Sequence, residues 1–215
     1  NYDDGVILQS SSGNTVSGND ITNNGNEGVY LYASSNNTIE GNSIAYSGDK
    51  GIRMYSGSNN NTISGNNITH CDHGIELDTS CSFNAIFENN IADSNKNGIN
   101  MAYSSSNNSI IENNITSNSN FGIDLYECSN NTISGNNIEA NAYDGIIIQE
   151  NSNNNTVIGN SITANNYGGV YLLSSSNCVI SGNNITNNND YGVVLDSSSG
   201  NTVSGNNITE NANTG

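Results

Sequence analysis

From Gly5 to Glu27 the sequence reads GVILQSSSGNTVSGNDITNNGNE, and variants of this unit fill the chain. The opening glycine returns at Gly28, Gly51, Gly74, Gly98, Gly122, Gly145, Gly169, Gly192 and Gly215, each 23 or 24 residues after the last. A fixed period of this size marks a stacked-repeat architecture. Inside the unit apolar residues alternate with polar ones, which is the period of a strand. Two inward positions follow each glycine, as in Val29 and Leu31 or Ile146 and Ile148. A second short strand supplies one aliphatic (Val16, Ile39, Ile63 and onward), and a third supplies isoleucine from Ile21 to Ile208.

One unit cannot bury its own aliphatics; stacking the units buries them in a continuous column. The strands are too short and the turns too brief for crossover helices. The reading is an all-β parallel β-helix of about nine rungs, with three short strands per rung. Each strand pairs with its equivalent one rung away, ~4.8 Å distant. The period runs without a break, so residues 1–215 read as a single solenoid domain.

Composition agrees. The 215 residues include 49 asparagines and 23 glycines, with no proline and no tryptophan. Asparagine recurs in register, as Asn14, Asn37, Asn61, Asn84 and again as Asn19, Asn42, Asn66, Asn89. Stacked amides can bond one another and the turn backbone, as in other stacked β structures. Twenty acidic residues stand against three basic ones, a net charge of −17. That balance excludes nucleic acid as a partner, since nothing would neutralise phosphates. No apolar run approaches the ~20 residues of a membrane-spanning helix.

Units such as Asn131 to Ile138 (NTISGNNI) and Gly122 to Leu125 (GIDL) resemble the right-handed β-helix repeats of the NosD-like and carbohydrate-binding/sugar-hydrolase families. The resemblance implies a right-handed coil. It also implies a choice of roles: polysaccharide lyase or hydrolase, copper-site maturation, or a repeat-rich surface protein. The chain lacks the Asn-Thr-Asp, Asp-Asp and Gly-His-Gly set of pectin hydrolases and has no basic cluster for an acidic sugar.

Function has to reside on the outward positions. The first strand presents Tyr30 and Tyr32, Arg53 and Tyr55, Glu76 and Asp78, Asp124 and Tyr126. Rings beside acids suit a glycan, so Tyr30, Tyr32, Tyr55, Asp124 and Tyr126 are the expected contacts. If the chain is an enzyme, Glu76 and Asp78 are its carboxylates. They lie ~6.6–6.8 Å apart along one strand, within the range of an inverting glycosidase. Arg53 or His73 is then the candidate base of a lyase. The plainer reading pairs Arg53 with Glu76 as a surface ion pair of little worth.

His70, Cys71 and His73 form the densest run of soft ligands, the type that suits copper or zinc. Glu88 and Glu112 replace a recurrent glycine in adjacent rungs, and calcium is the cation that would relieve their repulsion. No cofactor is otherwise expected. Phe87 and Ile111 beside them offer a lateral contact. The four cysteines fall in no bridging pair, and Cys71, if exposed, would cross-link chains. Among the Asn-x-Ser/Thr sequons, Asn67, Asn114, Asn184 and Asn207 are expected to face outward and accept glycans.

Polar caps, which a solenoid needs, are not evident at either end. This predicts a segment of a longer array or rungs stacked end to end between copies. The leading expectation is therefore an extracellular, non-enzymatic structural or adhesive solenoid, a cell-surface, sheath or filament subunit. The alternatives are a carbohydrate-active enzyme or binding module, and a copper-maturation protein.

Overall fold

The computed structural model describes residues 1–213, so Gly215, the last of the recurring glycines, lies outside it. The described residues form 27 strands in three nine-stranded sheets. Each sheet is parallel, and each strand pairs with its equivalent in the neighbouring rung, as Ile123 does with Ile99 and Ile146. Sheet 1 carries the four-residue strands that follow the glycine, such as Val29–Tyr32 and Ile123–Tyr126. Sheets 2 and 3 carry three-residue strands such as Thr132–Ser134 and Asn137–Glu139.

The inward positions fill the coil. Leu31, Met54, Leu77, Met101 and Leu125 from sheet 1 are wholly buried, as are Ile39 to Ile180 from sheet 2 and Ile44 to Ile185 from sheet 3. The β-branched residues suit the stiff backbone of the short strands. The recurrent glycine has a steric cause. A Cβ at Gly122 would lie 2.5 Å from the carbonyl oxygen of Gly145 and 2.6 Å from Cγ2 of Ile138. Rungs at this corner approach more closely than any side chain allows.

Four internal polar columns hold the corners. In the column of Asn19 to Asn206, each amide oxygen accepts two hydrogen bonds from the rung before. Asn113 donates to Oδ1 of Asn136 from its backbone nitrogen at 2.9 Å and from Nδ2 at 3.0 Å. Nδ2 of Asn136 then donates to the carbonyl of Ile110 at 3.0 Å. The buried amides of this column are thereby satisfied, so their burial costs little. The column of Asn14 to Asn201 is built alike. A third ladder runs through Asn118, Asn141, Asn165, Asn188 and Asn211. A fourth uses hydroxyls: Ser34 donates its backbone N–H to Oγ of Ser58, and Ser152 to Oγ of Ser175.

All four cysteines occupy places in these columns and are free and buried. Cys71 is therefore not exposed and cannot cross-link chains. Its Sγ lies 3.4 Å from the carbonyl of Thr69 within the corner. Outside sheet 3, Asn67, Asn90, Asn114 and Asn137 form a further ladder facing solvent, each donating to the one before at 2.7–2.8 Å. Of the expected glycan acceptors, Asn67, Asn184 and Asn207 are exposed and Asn114 is half-buried. The Nδ2 atoms of Asn114 and Asn207 are already donated to Asn90 and Asn184.

A candidate active site on the outer face of sheet 1

Alternation along the sheet 1 strands turns Glu76, Asn100 and Asp124 outward in one register and Asp78, Ala102 and Tyr126 in the next. With Tyr103 they line a groove of about 240 Å³. Outward here does not mean exposed: Glu76 is 7% and Asp124 9% accessible. The corner that follows sheet 1 shapes one side of the groove. Its residues take left-handed backbone angles, and four rungs use two of them: Ser56–Gly57, Thr79–Ser80, Tyr103–Ser104 and Glu150–Asn151. Of these corner residues, Tyr103 lines the groove. Tyr103 (φ 50°) packs edge-on to Tyr126 with ring centroids 5.7 Å apart, forming a wall. Ala102 keeps the floor low between them.

The carboxylates are not equivalent. Asp124 accepts from Nε2 of Gln149 at 2.9 Å and from Nδ2 of Asn97 at 3.3 Å. Burial pushes its pKa up to about 6 against the pull of those two donors. Burial also raises Glu76, opposed by Lys50 and Arg53. Asp78 accepts from Oγ1 of Thr79 at 2.9 Å and meets Nη2 of Arg53 at 3.4 Å. A carboxyl whose pKa is raised by burial, beside ion-paired carboxylates, is the usual partition of acid and base roles.

Arg53 is the hub of this charge cluster. It meets Oε1 of Glu27 at 3.1 Å, Oε1 of Glu76 at 3.2 Å and Oδ2 of Asp78 at 3.4 Å. The contact with Glu76 is an ion pair rather than a directed hydrogen bond, since the Nε–H finds no aligned acceptor. This corrects the expected surface pair: Glu27 and Glu76 are buried, and one guanidinium serves three acids. Arg53 also lies 5.7 Å from the Tyr30 ring centroid and 4.9 Å from that of Tyr55. Tyr32 contacts Tyr30 at 6.2 Å and Tyr55 at 5.9 Å. Tyr30 and Tyr55 therefore flank the arginine and Tyr32 links their rings, while Asp124 and Tyr126 belong to the groove.

His73 is not among the groove-lining residues. Desolvation lowers its pKa to about 4, and its buried Nδ1 has no partner. Arg53, saturated by acids, is no base either. The soft-ligand run diverges. His70 is exposed in a left-handed turn and stacks on Tyr46 at 4.7 Å, while Cys71 points into the core. Glu88 and Glu112 are exposed at left-handed positions (φ 55° and 54°). Among the described residues no three His, Cys, Asp or Glu side chains are placed to hold a metal ion.

Sequence reasoning missed Asn97, Tyr103 and Gln149. A signal for Tyr103 was present: ten steps separate the glycine from the ladder asparagine in Gly51–Asn61, Gly74–Asn84 and Gly98–Asn108, against nine in Gly28–Asn37. The extra residue is the raised corner.

The family described as right-handed β-helix region matches residues 1–115 and 101–215. The chain belongs to this family. No curated protein matches it. Among solved structures it is similar to the periplasmic alginate epimerase AlgG, at 25% identity and a TM-score of 0.76. That match covers 83% of this chain and 47% of the other, so the chain spans about half the length of that relative. The A-module of the Azotobacter vinelandii mannuronan C-5 epimerase AlgE4 matches at 17% identity and TM-score 0.71, covering 92% of this chain and 64% of that one. Tailspike protein 2 of an Escherichia coli O157:H7 bacteriophage matches at 14% and 0.73, covering 92% and 34%. The two lower identities speak for the fold alone.

Proposed function

We propose that this β-helix is the glycan-handling part of a carbohydrate-active protein, and that a polysaccharide lies over the groove of sheet 1. The carrying observation is geometric: Asp124 is 9% exposed, is held by Gln149 and Asn97, and shares the outward column of Glu76 with Asn100 between them. The two acids are two rungs apart, ~9.6 Å along the rod at ~4.8 Å per rung. That backbone separation falls marginally beyond the ~6.5–9.5 Å that separates the carboxyl groups of inverting glycosidases. In this reading Asp124 protonates the departing glycosidic oxygen. Glu76, held by Arg53, Lys50 and Asn100, takes a proton from the attacking water. Tyr103 and Tyr126 together wall one side of the sugar ring.

The likeness to an alginate epimerase supports polysaccharide as the ligand class and favours one rival reaction, removal of a proton from a uronate carbon. That reaction calls for a cation to hold the sugar carboxylate. All three lysines and arginines here are already paired: Lys50 with Asp49 and Glu76, Arg53 with three acids, Lys96 with Asp72. The groove supports hydrolysis of an uncharged chain better. A structural or adhesive role, the leading expectation from sequence, makes no use of these buried acids.

The test is to incubate the protein with neutral polysaccharides and with alginate, following new reducing ends and the proton NMR signals of the sugars. Reducing ends from a neutral polymer, lost in Asp124→Asn, support the proposal. Epimerised alginate without cleavage would replace it with the rival, and no change in any polymer would remove catalysis from this groove.

A further inference from the structure

A second feature lies farther along the rod. Phe121, Tyr143, Tyr167 and Tyr191 form a row of rings in successive rungs, with centroids 5.7, 6.1 and 6.1 Å apart. Tyr171 joins the row at 6.0 Å from Tyr191. Tyr143 and Tyr167 are each 49% exposed. Exposed rings are common on sheets, but this row is built. The Tyr191 hydroxyl reaches back two rungs and donates to Oδ1 of Asp144 at 2.7 Å. Asp144 is 3% exposed and also accepts from the backbone nitrogen of Gly168 at 2.8 Å. Gly168 is required there, because a Cβ would stand 2.0 Å from the Tyr191 ring. A buried carboxylate and a glycine thus fix a surface tyrosine in place, which lowers the ordering cost of anything that stacks on it.

The row is continuous with the groove. Phe121 immediately precedes the Gly122 to Asp124 segment, and Tyr171 continues the outward column of Asp124 through Ile147. We propose that the Phe121–Tyr191 row, with Tyr171, is an extended binding platform for an uncharged polysaccharide whose chain runs along the rod axis from the groove; this rests on the groove reading above. Sugar C–H groups pack against the electron-rich faces of rings. No lysine or arginine belongs to the row, while Asp144, Asp190 and Asp196 lie beside it; Tyr171 donates to Asp196 at 3.1 Å. Anionic glycans are repelled by that surround.

The experiment measures calorimetric affinity for a long and a short neutral oligosaccharide, with a uronate oligomer as the charged control. The proteins are the wild type, Tyr143→Ala/Tyr167→Ala and Asp124→Asn, each checked for folding by circular dichroism. The expected result is that the double variant binds the long oligomer about tenfold more weakly and the short one unchanged. Asp124→Asn weakens both. Unchanged long-chain affinity in the double variant overturns the platform, and if Asp124→Asn still weakens binding, the groove stands alone. Long-chain affinity lost in the double variant but untouched in Asp124→Asn keeps the platform and removes the groove. Tighter binding of the uronate oligomer, no binding of either neutral oligomer by the wild type, or a double variant that changes only the self-association of the protein in sedimentation each overturns the proposal.

Discussion

Gln149 donates a hydrogen bond of 2.9 Å from its side-chain amide to Oδ1 of Asp124, one rung away on the same face. A carboxyl that is buried, offered two neutral donors and given no cation is costly to ionise. Its pKa near 6 exceeds the ordinary 3.8, so between these values the native state binds more protons than the unfolded chain. The stability it contributes is present below about pH 4 and is lost as pH rises through 6. Asp124→Asn removes the ionisable proton and keeps an acceptor for Gln149. We expect it to stabilise the fold at pH 7.5 by about 2–3 kcal/mol and by little at pH 4, read from urea unfolding at both pH values. A variant less stable at pH 7.5 than the parent contradicts this account of the site.

His73 acts in the opposite direction. Its folded value of about 4 lies below the unfolded 6.5, so the stability it supports is present above pH 6.5 and lost as pH falls through 4. Asp72 and Asp49 favour its protonated form while Lys50 and Lys96 oppose it. His73→Gln should flatten the fall of melting temperature between pH 6.5 and 4. An unchanged slope would show that the imidazole is not held neutral.

Arg53 balances three acids, two of them buried. Breaking such a cluster from one side costs more than the cluster is worth, because the remaining charges stay desolvated. Arg53 is itself partly exposed, so we expect Arg53→Met to cost about 2–3 kcal/mol. Glu76→Gln in the same background should recover part of that. Additive losses in the double variant would deny the coupling.

Cys178 interrupts an asparagine ladder. Its backbone nitrogen still donates to Oδ1 of Asn201 at 2.7 Å, but Asn155 faces a thiol instead of an amide oxygen. Restoring Cys178→Asn should stabilise by about 1 kcal/mol and raise the melting temperature. A fall would mean that the corner cannot accept the larger side chain.

Gly168→Ala tests the seat of Tyr191. The new methyl meets the ring and should cost about 1–3 kcal/mol as an overpacking defect. In a Tyr191→Ala background the same change should be close to neutral in thermal unfolding. Equal cost in both backgrounds would place the strain elsewhere.

The coil was legible because every level of the sequence repeats it: the glycine spacing, the inward aliphatics and two asparagine columns all share one period. The third ladder was harder to read. Its column is held by Asn24, Ser47, Cys71 and Ser94 before settling into Asn118 and its successors, so residue identity hides the register. The site was half legible. Strand alternation put Glu76, Asp78, Asp124 and Tyr126 on one face, but it equates outward with exposed. Glu76 and Asp124 are buried among neighbours from other rungs, Lys50, Arg53 and Asn100 at the first and Asn97 and Gln149 at the second, whose approach is set by rung stacking. Alternation could not tell that Tyr30 and Tyr55 would spend their faces on Arg53.

The most direct measurement is the crystal structure of the Asp124→Asn protein grown with a neutral oligosaccharide. The account predicts sugar density against the wall formed by Tyr103 and Tyr126, with a glycosidic oxygen within hydrogen-bond distance of residue 124. A groove left bare while the sugar sits elsewhere on the rod would contradict it.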